Sequence, residues 1–319
     1  MPEWLVERGI GEARAALVED GEIVEARIEL DGAVPAGSIV AAKLVSGGRN
    51  AVAIAADGRE YLLPKGAPGV TEGASLTIEV TREAIPGAEA WKRPLAKASA
   101  AAPAAVPPLT DRLNAREIIF PGARDEFGDA GWEELIDQAR TGIVRFAGGE
   151  LRISPTPAMT LIDVDGSLPP DQLAILGATE AARAIRRLDI GGSIGIDLPT
   201  TRSKAARTKA AEAIDDILSQ PFERTAVNGF GFVQIVRPRQ RASLIEFAQD
   251  RADFEARALL RRAARETAGG KRLVAHPAVT AVLQQREDWI ERLSQQLGGA
   301  IGLRADPALP MSGGYAEKL

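Results

Sequence analysis

The hydrophobic pattern of the chain changes at an Ala/Pro-rich segment, KASAAAPAAVPPL, which spans residues 97–109. Before it, short alternating runs are separated by turns such as Asp20-Gly21 and Gly47-Gly48, which is typical of closely spaced β-strands. After it, apolar strands alternate with amphipathic helices, which favours an α/β core. The pattern therefore predicts a small β-barrel and an α/β core, with the Ala/Pro-rich segment as a linker.

The length of 319 residues allows two or three domains. We expect strands in residues 1–36, a barrel in 37–96, a linker in 97–110, an α/β core in 111–240 and a small, mostly helical C-terminal domain in 241–319. Within the core, Thr200 or Thr201 is expected to cap a helix that begins near Arg202.

Composition excludes several kinds of site. The chain has no cysteine and one histidine, His276, so disulfides, thiolate zinc sites, iron–sulfur clusters, cysteine nucleophiles and multi-histidine metal sites are ruled out. The net charge of −5 does not exclude a nucleic-acid partner, because a nearly neutral average can hide a basic groove. Since no long apolar run is present and the N-terminus is rich in charge, we expect a soluble, cytoplasmic protein.

Acidic residues end two neighbouring strands of the predicted core. Asp163 and Asp165 lie two apart in LIDVDG, and Asp197 ends the next strand, SIGIDL. The helix expected between these strands makes a right-handed crossover, so both carboxyl ends meet at one edge of the sheet. Clustered carboxylates repel one another unless a cation binds them, and Mg²⁺ held by carboxylates keeps open positions for phosphate oxygens. The pattern therefore predicts a Mg²⁺ site, with Mn²⁺ as a substitute, suited to phosphodiester or phosphoryl chemistry.

Two other interpretations of these aspartates stay open. A strand-end Asp commonly caps the next helix or turn. The run from Asp163 to Ser167 also resembles the first strand end of haloacid-dehalogenase-type phosphatases. In that family a lysine and a further acidic pair follow on later strands, whereas the pair Asp215-Asp216 here falls inside a predicted helix.

A second family covers far more of the chain. Five segments follow one another in the order and spacing of a known family: EWLVERGIGEARAALVEDGEIVEARIEL, GRNAVAIAADGREYLLP, GGELRISPTPAMTLIDVDGS, EAARAIRRLDIGGSIGIDL and NGFGFVQIVRPRQR. On these segments the chain resembles the bacterial ribonuclease E/G endoribonucleases. The resemblance implies a ribonuclease-H-like (deoxyribonuclease-like) catalytic core, an inserted OB-type RNA-binding barrel and a small α+β C-terminal domain. It also implies that Asp163 and Asp197 hold the catalytic Mg²⁺, and that Asp165 replaces an asparagine of the family.

The chain departs from the family at several places. The paired cysteines that join subunits through zinc are missing, so a zinc-linked dimer is excluded and the oligomeric state stays open. The region that binds the 5′ monophosphate of RNA is largely missing. The barrel lacks the usual exposed phenylalanines, and Tyr61 is the expected substitute for base stacking. A basic residue before the family's Phe-Gly is Gly229 here.

Basic residues could compensate for a barrel poor in aromatic residues by contacting phosphates. Arg237, Arg239 and Arg241 alternate just after a predicted strand, and we expect them beside the metal site, in contact with RNA. Lys43 and Arg49 flank the Gly47-Gly48 turn and are further RNA-binding candidates. The alternative for such charges is a solvated surface.

These observations favour a Mg²⁺-dependent endoribonuclease that cleaves single-stranded RNA, with Asp163, Asp165 and Asp197 as metal ligands and an activated water attacking the phosphodiester. One alternative is a non-catalytic RNA-binding or RNA-degradation accessory protein of the same fold. The other is a phosphatase of the haloacid-dehalogenase type.

Overall fold

The computed structural model describes residues 1–87 and 92–319. Its strands, in chain order, are β1 Glu3–Arg8, β2 Glu12–Glu19, β3 Glu22–Leu30, β4 Ile39–Ser46, β5 Ala51–Ala55, β6 Glu60–Leu63, β7 Ser75–Arg82, β8 Leu95–Ser99, β9 Arg116–Ile118, β10 Ile143–Phe146, β11 Gly149–Pro155, β12 Thr160–Gly166, β13 Gly192–Asp197, β14 Glu223–Arg224, β15 Phe232–Arg237, β16 Lys271–Ala275, β17 Ile301–Ala305 and β18 Tyr315–Lys318.

The helices are α1 Leu109–Leu113, α2 Glu126–Asp129, α3 Trp132–Thr141, α4 Pro170–Arg187, α5 Lys204–Ile217, α6 Leu244–Gln249, α7 Arg251–Ala264, α8 Pro277–Gln285 and α9 Glu287–Leu297, with a short 3₁₀ turn at Met311–Gly313. In the described parts of the chain, no helix is both long enough and apolar enough to cross a membrane.

The fold is mixed α/β with a closed five-stranded barrel, as the sequence predicts. The barrel strands close in the order β4-β5-β6-β8-β7, with β4 also paired to β7, and this topology is consistent with the OB-type barrel that the resemblance implies. Its last strand, β8, begins at Leu95, so the barrel extends past the expected boundary at residue 96 and into the segment expected to be a linker. Residues 88–91 of the expected barrel range lie outside the described part of the chain.

The barrel core explains one difference from the sequence prediction. Tyr61 is 1% exposed and packs among the apolar side chains of the barrel interior. Burial also raises the pKa of its hydroxyl group. The ring is therefore unavailable for base stacking at the barrel surface, and the expectation that Tyr61 replaces the missing phenylalanines is wrong.

The N-terminal sheet joins distant parts of the chain, with strand order β3-β2-β1-β9. Strand β9, which follows the barrel, pairs parallel to β1, so the first residues and the segment after the barrel share one sheet. Buried ion pairs tie this sheet to α7: Arg257 contacts Glu12 at 2.7 Å, and Arg261 contacts Glu7 at 3.0 Å.

The central sheet has six strands in the order β10-β11-β12-β13-β15-β14. One face is apolar and buried, with Ile162 and Val164 of β12 and Ile194 and Ile196 of β13 fully or nearly fully covered. Helix α4 packs against this face, and Gly177 permits the close approach because a Cβ there would lie 2.3 Å from Cγ1 of Val164. Since side chains alternate along a strand, the residues between these apolar ones point to the opposite, open face.

The C-terminal part carries a separate three-stranded sheet, in the order β17-β16-β18. Helices α7, α8 and α9 pack with this sheet in one apolar cluster that includes Trp289 and Leu293. His276 caps α8, because its Nδ1 accepts a hydrogen bond from the Ala278 N–H at 3.2 Å. The chain's single histidine therefore has a structural role in this unit.

Candidate active site

Two aspartates meet where β13 ends in the central sheet. We define the carboxyl edge as this end of β13 together with residues 163–166 of β12. Strands β12 and β13 are parallel, and Asp163 and Asp197 are direct register partners. Neighbouring strands lie about 4.8 Å apart, and register partners project to the same face. The expectation that these two strand ends come together on one side of the sheet agrees with this pairing.

Neither carboxylate of this pair is bound by another side chain of the described residues. Both side chains are exposed, and in the stretches 1–87 and 92–319 neither Asp163 nor Asp197 makes an ion pair or a side-chain hydrogen bond. Like charges placed directly opposite each other destabilise a sheet. Two unpaired, adjacent carboxylates are therefore a donor set that fits a divalent cation, since Mg²⁺ is often bound by one or two carboxylates with water and phosphate oxygens completing its shell.

Asp165 lies apart from this pair. It is two residues further along β12, a distance of about 7 Å, beyond the last residue of β13. Its Oδ1 accepts a hydrogen bond from the Gly166 N–H at 2.8 Å. Within the described residues, no group of three or more acidic or histidine side chains is arranged to hold a metal ion. The pair Asp163 and Asp197 therefore has no third ligand in place among residues 1–87 and 92–319, and a metal-binding role for Asp165 stays a prediction.

A row of side chains crosses the open face through the pair. In register, the row reads Arg152 of β11, Asp163, Asp197 and Phe232 of β15. Hydrogen bonding to Glu150 raises the pKa of Arg152, and the charges of Asp165 and Asp163 add to the effect. Arg152 thus places a positive charge next to the aspartates, and the sequence analysis missed it. The alternating pattern of ELRISP could have identified Arg152, because Arg152 faces away from the buried Leu151 and Ile153.

More cations lie at the same edge, where the connection from β13 reaches the start of α5. Arg202 and Lys204 are exposed, and within residues 1–87 and 92–319 neither makes an ion pair. Ser203 caps α5 by accepting a hydrogen bond from the Ala206 N–H at 3.1 Å. The cap is therefore Ser203, and the expectation of Thr200 or Thr201 is wrong. A helix N-terminus and two free cations make this edge attractive to phosphate.

The arginines that follow β15 lie elsewhere. Strand β15 runs antiparallel to β13, so Phe232 is opposite Asp197 whereas Arg237 is opposite Gly192. These two positions are five residue steps apart along the strand, about 17 Å. The expectation that Arg237, Arg239 and Arg241 lie beside the aspartates is therefore wrong, because the strand that carries them runs away from the carboxyl edge.

The same three arginines already have partners in the fold. Arg237 donates to the Ile190 carbonyl at 2.9 Å, and burial lowers its pKa. Arg241 binds Asp189 at 2.9 Å, and Arg239 binds Glu246 of α6. These contacts fix the end of β15 and the segment after it to the turn before β13 and to helix α6. Their predicted contact with RNA is untested.

The basic candidates of the barrel, Lys43 and Arg49, are exposed. In the described ranges neither side chain is in an ion pair. Both are accessible to a polyanion, and their predicted role in RNA binding likewise stays a prediction.

Known proteins match the part of the chain that carries this edge. The model of the ribonuclease E/G family matches residues 105–240. Ribonuclease G of Haemophilus influenzae is 31% identical over 152 residues, which cover 44% of this chain and 30% of that protein. Ribonuclease G of Escherichia coli K12 is 33% identical over 152 residues, with the same coverage of each chain. Ribonuclease G of Salmonella typhimurium is 32% identical over 110 residues, which cover 31% of this chain and 22% of that protein.

The chain therefore spans less than a third of the length of these curated relatives. The matched residues include β12, β13 and both aspartates of the pair, which the sequence resemblance had singled out. The segment that builds the candidate active site therefore matches the ribonuclease E/G family and is similar to ribonuclease G.

Proposed function

We propose that the protein is a metal-dependent endoribonuclease that cleaves single-stranded RNA. The observation that carries the proposal is the pairing of Asp163 with Asp197 on adjacent parallel strands, with no cation of the described chain bound to either. The family of the matched segment supports RNA as the substrate. An RNA substrate also suits a cytoplasmic location.

Asp163 and Asp197 are the residues that would hold Mg²⁺ or Mn²⁺. When bound there, a divalent cation polarises a phosphate and makes a water molecule more acidic. The protein's own contribution is to place positive charge around the phosphate. Arg152 adjoins Asp163 in register, and Arg202 lies in the connection that follows Asp197, so both are positioned to stabilise charge that develops on phosphate oxygens. Products with a 5′ phosphate and a 3′ hydroxyl are expected.

The core is proposed to be of the ribonuclease-H-like type. Its support is the N-terminal sheet, in which the antiparallel strands β3, β2 and β1 are followed by the parallel strand β9. The barrel is proposed to bind RNA through Lys43 and Arg49, since Tyr61 is buried.

The test is cleavage of a labelled, unstructured RNA by the purified chain, with Mg²⁺ and with a chelator. Asp163→Asn and Asp197→Asn should each abolish cleavage. Asp216→Asn is the matched control, because Asp216 is exposed near the far end of α5 and makes no ion pair among the described residues; it should cleave like the wild type. Unchanged cleavage by both site variants would refute the assignment.

A non-catalytic RNA-binding protein of the same fold is the second candidate. It is favoured by the two-carboxylate site, which has no third ligand among the described residues. It predicts RNA binding without cleavage and a melting temperature that Mn²⁺ does not change.

The phosphatase alternative has less support. Asp215 lies in α5 and binds Arg224 of β14, so the acidic pair Asp215-Asp216 does not supply later-strand carboxylates to the site. The phosphatase alternative predicts hydrolysis of a generic aryl phosphate, which a nuclease would leave intact.

A further inference from the structure

One phenylalanine near the aspartate pair is exposed. The side chain of Phe230 is 81% exposed, and no other Phe or Trp in residues 1–87 and 92–319 is exposed. It lies in the connection between β14 and β15, two residues before Phe232, the register partner of Asp197. The ring therefore belongs to the same edge of the sheet as the candidate metal ligands.

The backbone around Phe230 is held in place by several hydrogen bonds. The Asn228 side-chain oxygen accepts from the N–H groups of Phe230 at 2.9 Å and Phe232 at 3.1 Å. The Thr200 hydroxyl donates to the Phe230 carbonyl at 3.0 Å, which joins this turn to the connection after β13. The exposed ring thus projects from a fixed turn, and presenting it costs little further conformational entropy when a ligand binds.

The surroundings of the ring favour a nucleic-acid strand as its partner. Arg202 and Lys204, which make no ion pair with any described residue, follow Thr200, the residue that ties this part of the chain to the Phe230 turn. Arg202 lies in the connection after β13, and Lys204 begins α5. An exposed aromatic ring on a turn that is hydrogen-bonded to a cationic segment matches a single strand, in which bases present π-faces and phosphates present negative charge. A purely apolar protein contact would leave these cations unmatched.

We propose that Phe230 stacks on a nucleobase of the RNA next to the phosphate at Asp163 and Asp197. This inference rests on the proposed function and adds a binding residue to it. The stacked base fixes where the strand crosses the carboxyl edge. It also places the base contact on the core, whereas the barrel offers no exposed aromatic ring in the described residues.

The test measures binding separately from cleavage. In an Asp163→Asn background, the affinity for an unstructured oligoribonucleotide is compared before and after Phe230→Ala. One base–aromatic stack corresponds to a loss of about 5- to 150-fold in affinity, and we expect a loss in this range. Phe230→Trp should restore affinity, whereas Phe230→Leu should not. The fluorescence of a 2-aminopurine base in the RNA should change when the parent protein binds and should change less when Phe230→Ala binds.

Two controls separate stacking from other effects. Val236→Ala removes another exposed apolar side chain. Val236 is 51% exposed and lies near the end of β15 that is farther from Phe230, so this variant should leave the affinity for RNA unchanged. An oligonucleotide of the same length with abasic sites should bind the parent protein and the Phe230→Ala variant equally.

The outcomes distinguish this inference from the proposed function. If the parent protein binds RNA and Phe230→Ala binds it equally well, the inference is overturned and the proposed function stands. If Phe230→Ala instead changes only self-association in sedimentation velocity, the ring is a protein contact and the inference is overturned. If the parent protein binds no RNA, both fail.

Discussion

Gly231 lies directly against the carbonyl oxygen of Leu198: a Cβ added to Gly231 would be 2.1 Å from that oxygen. The Leu198 N–H in turn donates to the Gly231 carbonyl at 3.3 Å. Gly231 also has a φ of +96°, in the region that favours glycine. Close approach and backbone conformation both require glycine here, at the point where the Phe230 turn meets the end of β13.

Gly231→Ala is therefore expected to lower the free energy of unfolding by about 1–3 kcal/mol or more and to weaken RNA binding by displacing the turn. Gly58→Ala is the matched control, because Gly58 has a φ of +85° but nothing within 4 Å of its Cβ position. Urea unfolding of both variants checks the prediction. An equal loss in both would mean that the contact with Leu198 adds nothing to the backbone strain.

Arg261→Met should be among the most destabilising changes outside the apolar core. Arg261 is 3% exposed and contacts Glu7 at 3.0 Å, Asp125 at 2.6 Å and Glu133 at 3.2 Å. Removing one partner of a buried ion pair costs about 3–5 kcal/mol when the remaining charge is left without compensation. Glu7 keeps Arg14 at 2.6 Å and Asp125 keeps Arg265 at 3.1 Å, so the cost here should lie near the lower end of that range. Arg251→Met, at the exposed start of the same helix, should cost less than about 0.5 kcal/mol. Similar urea midpoints for the two variants would contradict the prediction.

Asp125→Asn should have an effect that depends on pH. Burial raises the pKa of Asp125, but hydrogen bonds from Arg261 and the Gly128 N–H, with the charges of Arg261 and Arg265, outweigh burial and leave the pKa lowered. A carboxyl group with a lowered folded-state pKa stabilises the fold above its unfolded-state pKa, and that stabilisation is lost as the pH falls through the folded-state value.

The stability difference between wild type and Asp125→Asn should thus be largest near pH 7 and should shrink below about pH 4, where the unfolded carboxyl group becomes protonated. Asparagine keeps the N-cap bond to Gly128 that Asp125 makes at 2.9 Å, so the comparison isolates charge. The exposed Asp288→Asn is the control. A difference that stays constant from pH 7 to pH 3 would exclude the ion pair as its source.

Much of the candidate site was predictable because it depends on local pattern. The apolar runs that end at Asp163 and Asp197, with one amphipathic helix between them, leave few topologies other than two adjacent parallel strands. The direction of β15 was not predictable in this way, because a strand shows the same apolar pattern whether it pairs parallel or antiparallel to its neighbour. That direction decides whether Phe232 or Arg237 adjoins Asp197, and the sequence analysis placed the wrong end there.

The other differences have related causes. Strand β8, LAKAS, carries small side chains of which Ala96 is buried at 2% exposure, and its Ala-rich composition resembled the linker that follows. Tyr61 is inside the barrel because it alternates with an outward-facing Leu62, and a one-residue change of register would reverse the two. Phe230 was missed because its exposure depends on a turn held by Asn228 and Thr200, contacts that no spacing rule identifies.

Divalent metal should stabilise the wild type and not a variant that lacks one aspartate. Because Asp163 and Asp197 repel each other in the absence of a cation, Asp197→Asn should be as stable as the wild type or more so, by about 0.2–1 kcal/mol, without metal. In Mn²⁺ or Mg²⁺ the order should reverse, since a ligand that binds only the folded state at 100 times its Kd adds about 2.7 kcal/mol. Melting temperatures in a metal titration check this. A wild type and an Asp197→Asn variant that respond equally to metal would contradict a site at this pair.

The salt dependence of RNA binding should report the free cations of the carboxyl edge. Each phosphate contact to single-stranded nucleic acid contributes about 0.7 to the negative slope of log K against log salt. The double variant Arg202→Ala with Lys204→Ala should therefore bind an unstructured RNA less tightly, with a slope shallower by about 1.4. The matched control, Arg251→Ala with Lys318→Ala, removes two exposed cations from other parts of the surface, and its slope should equal that of the wild type. Slopes measured by fluorescence anisotropy between about 50 and 200 mM salt decide the question. If both double variants lose the same slope, RNA binding follows overall charge and the carboxyl edge has no special part in it.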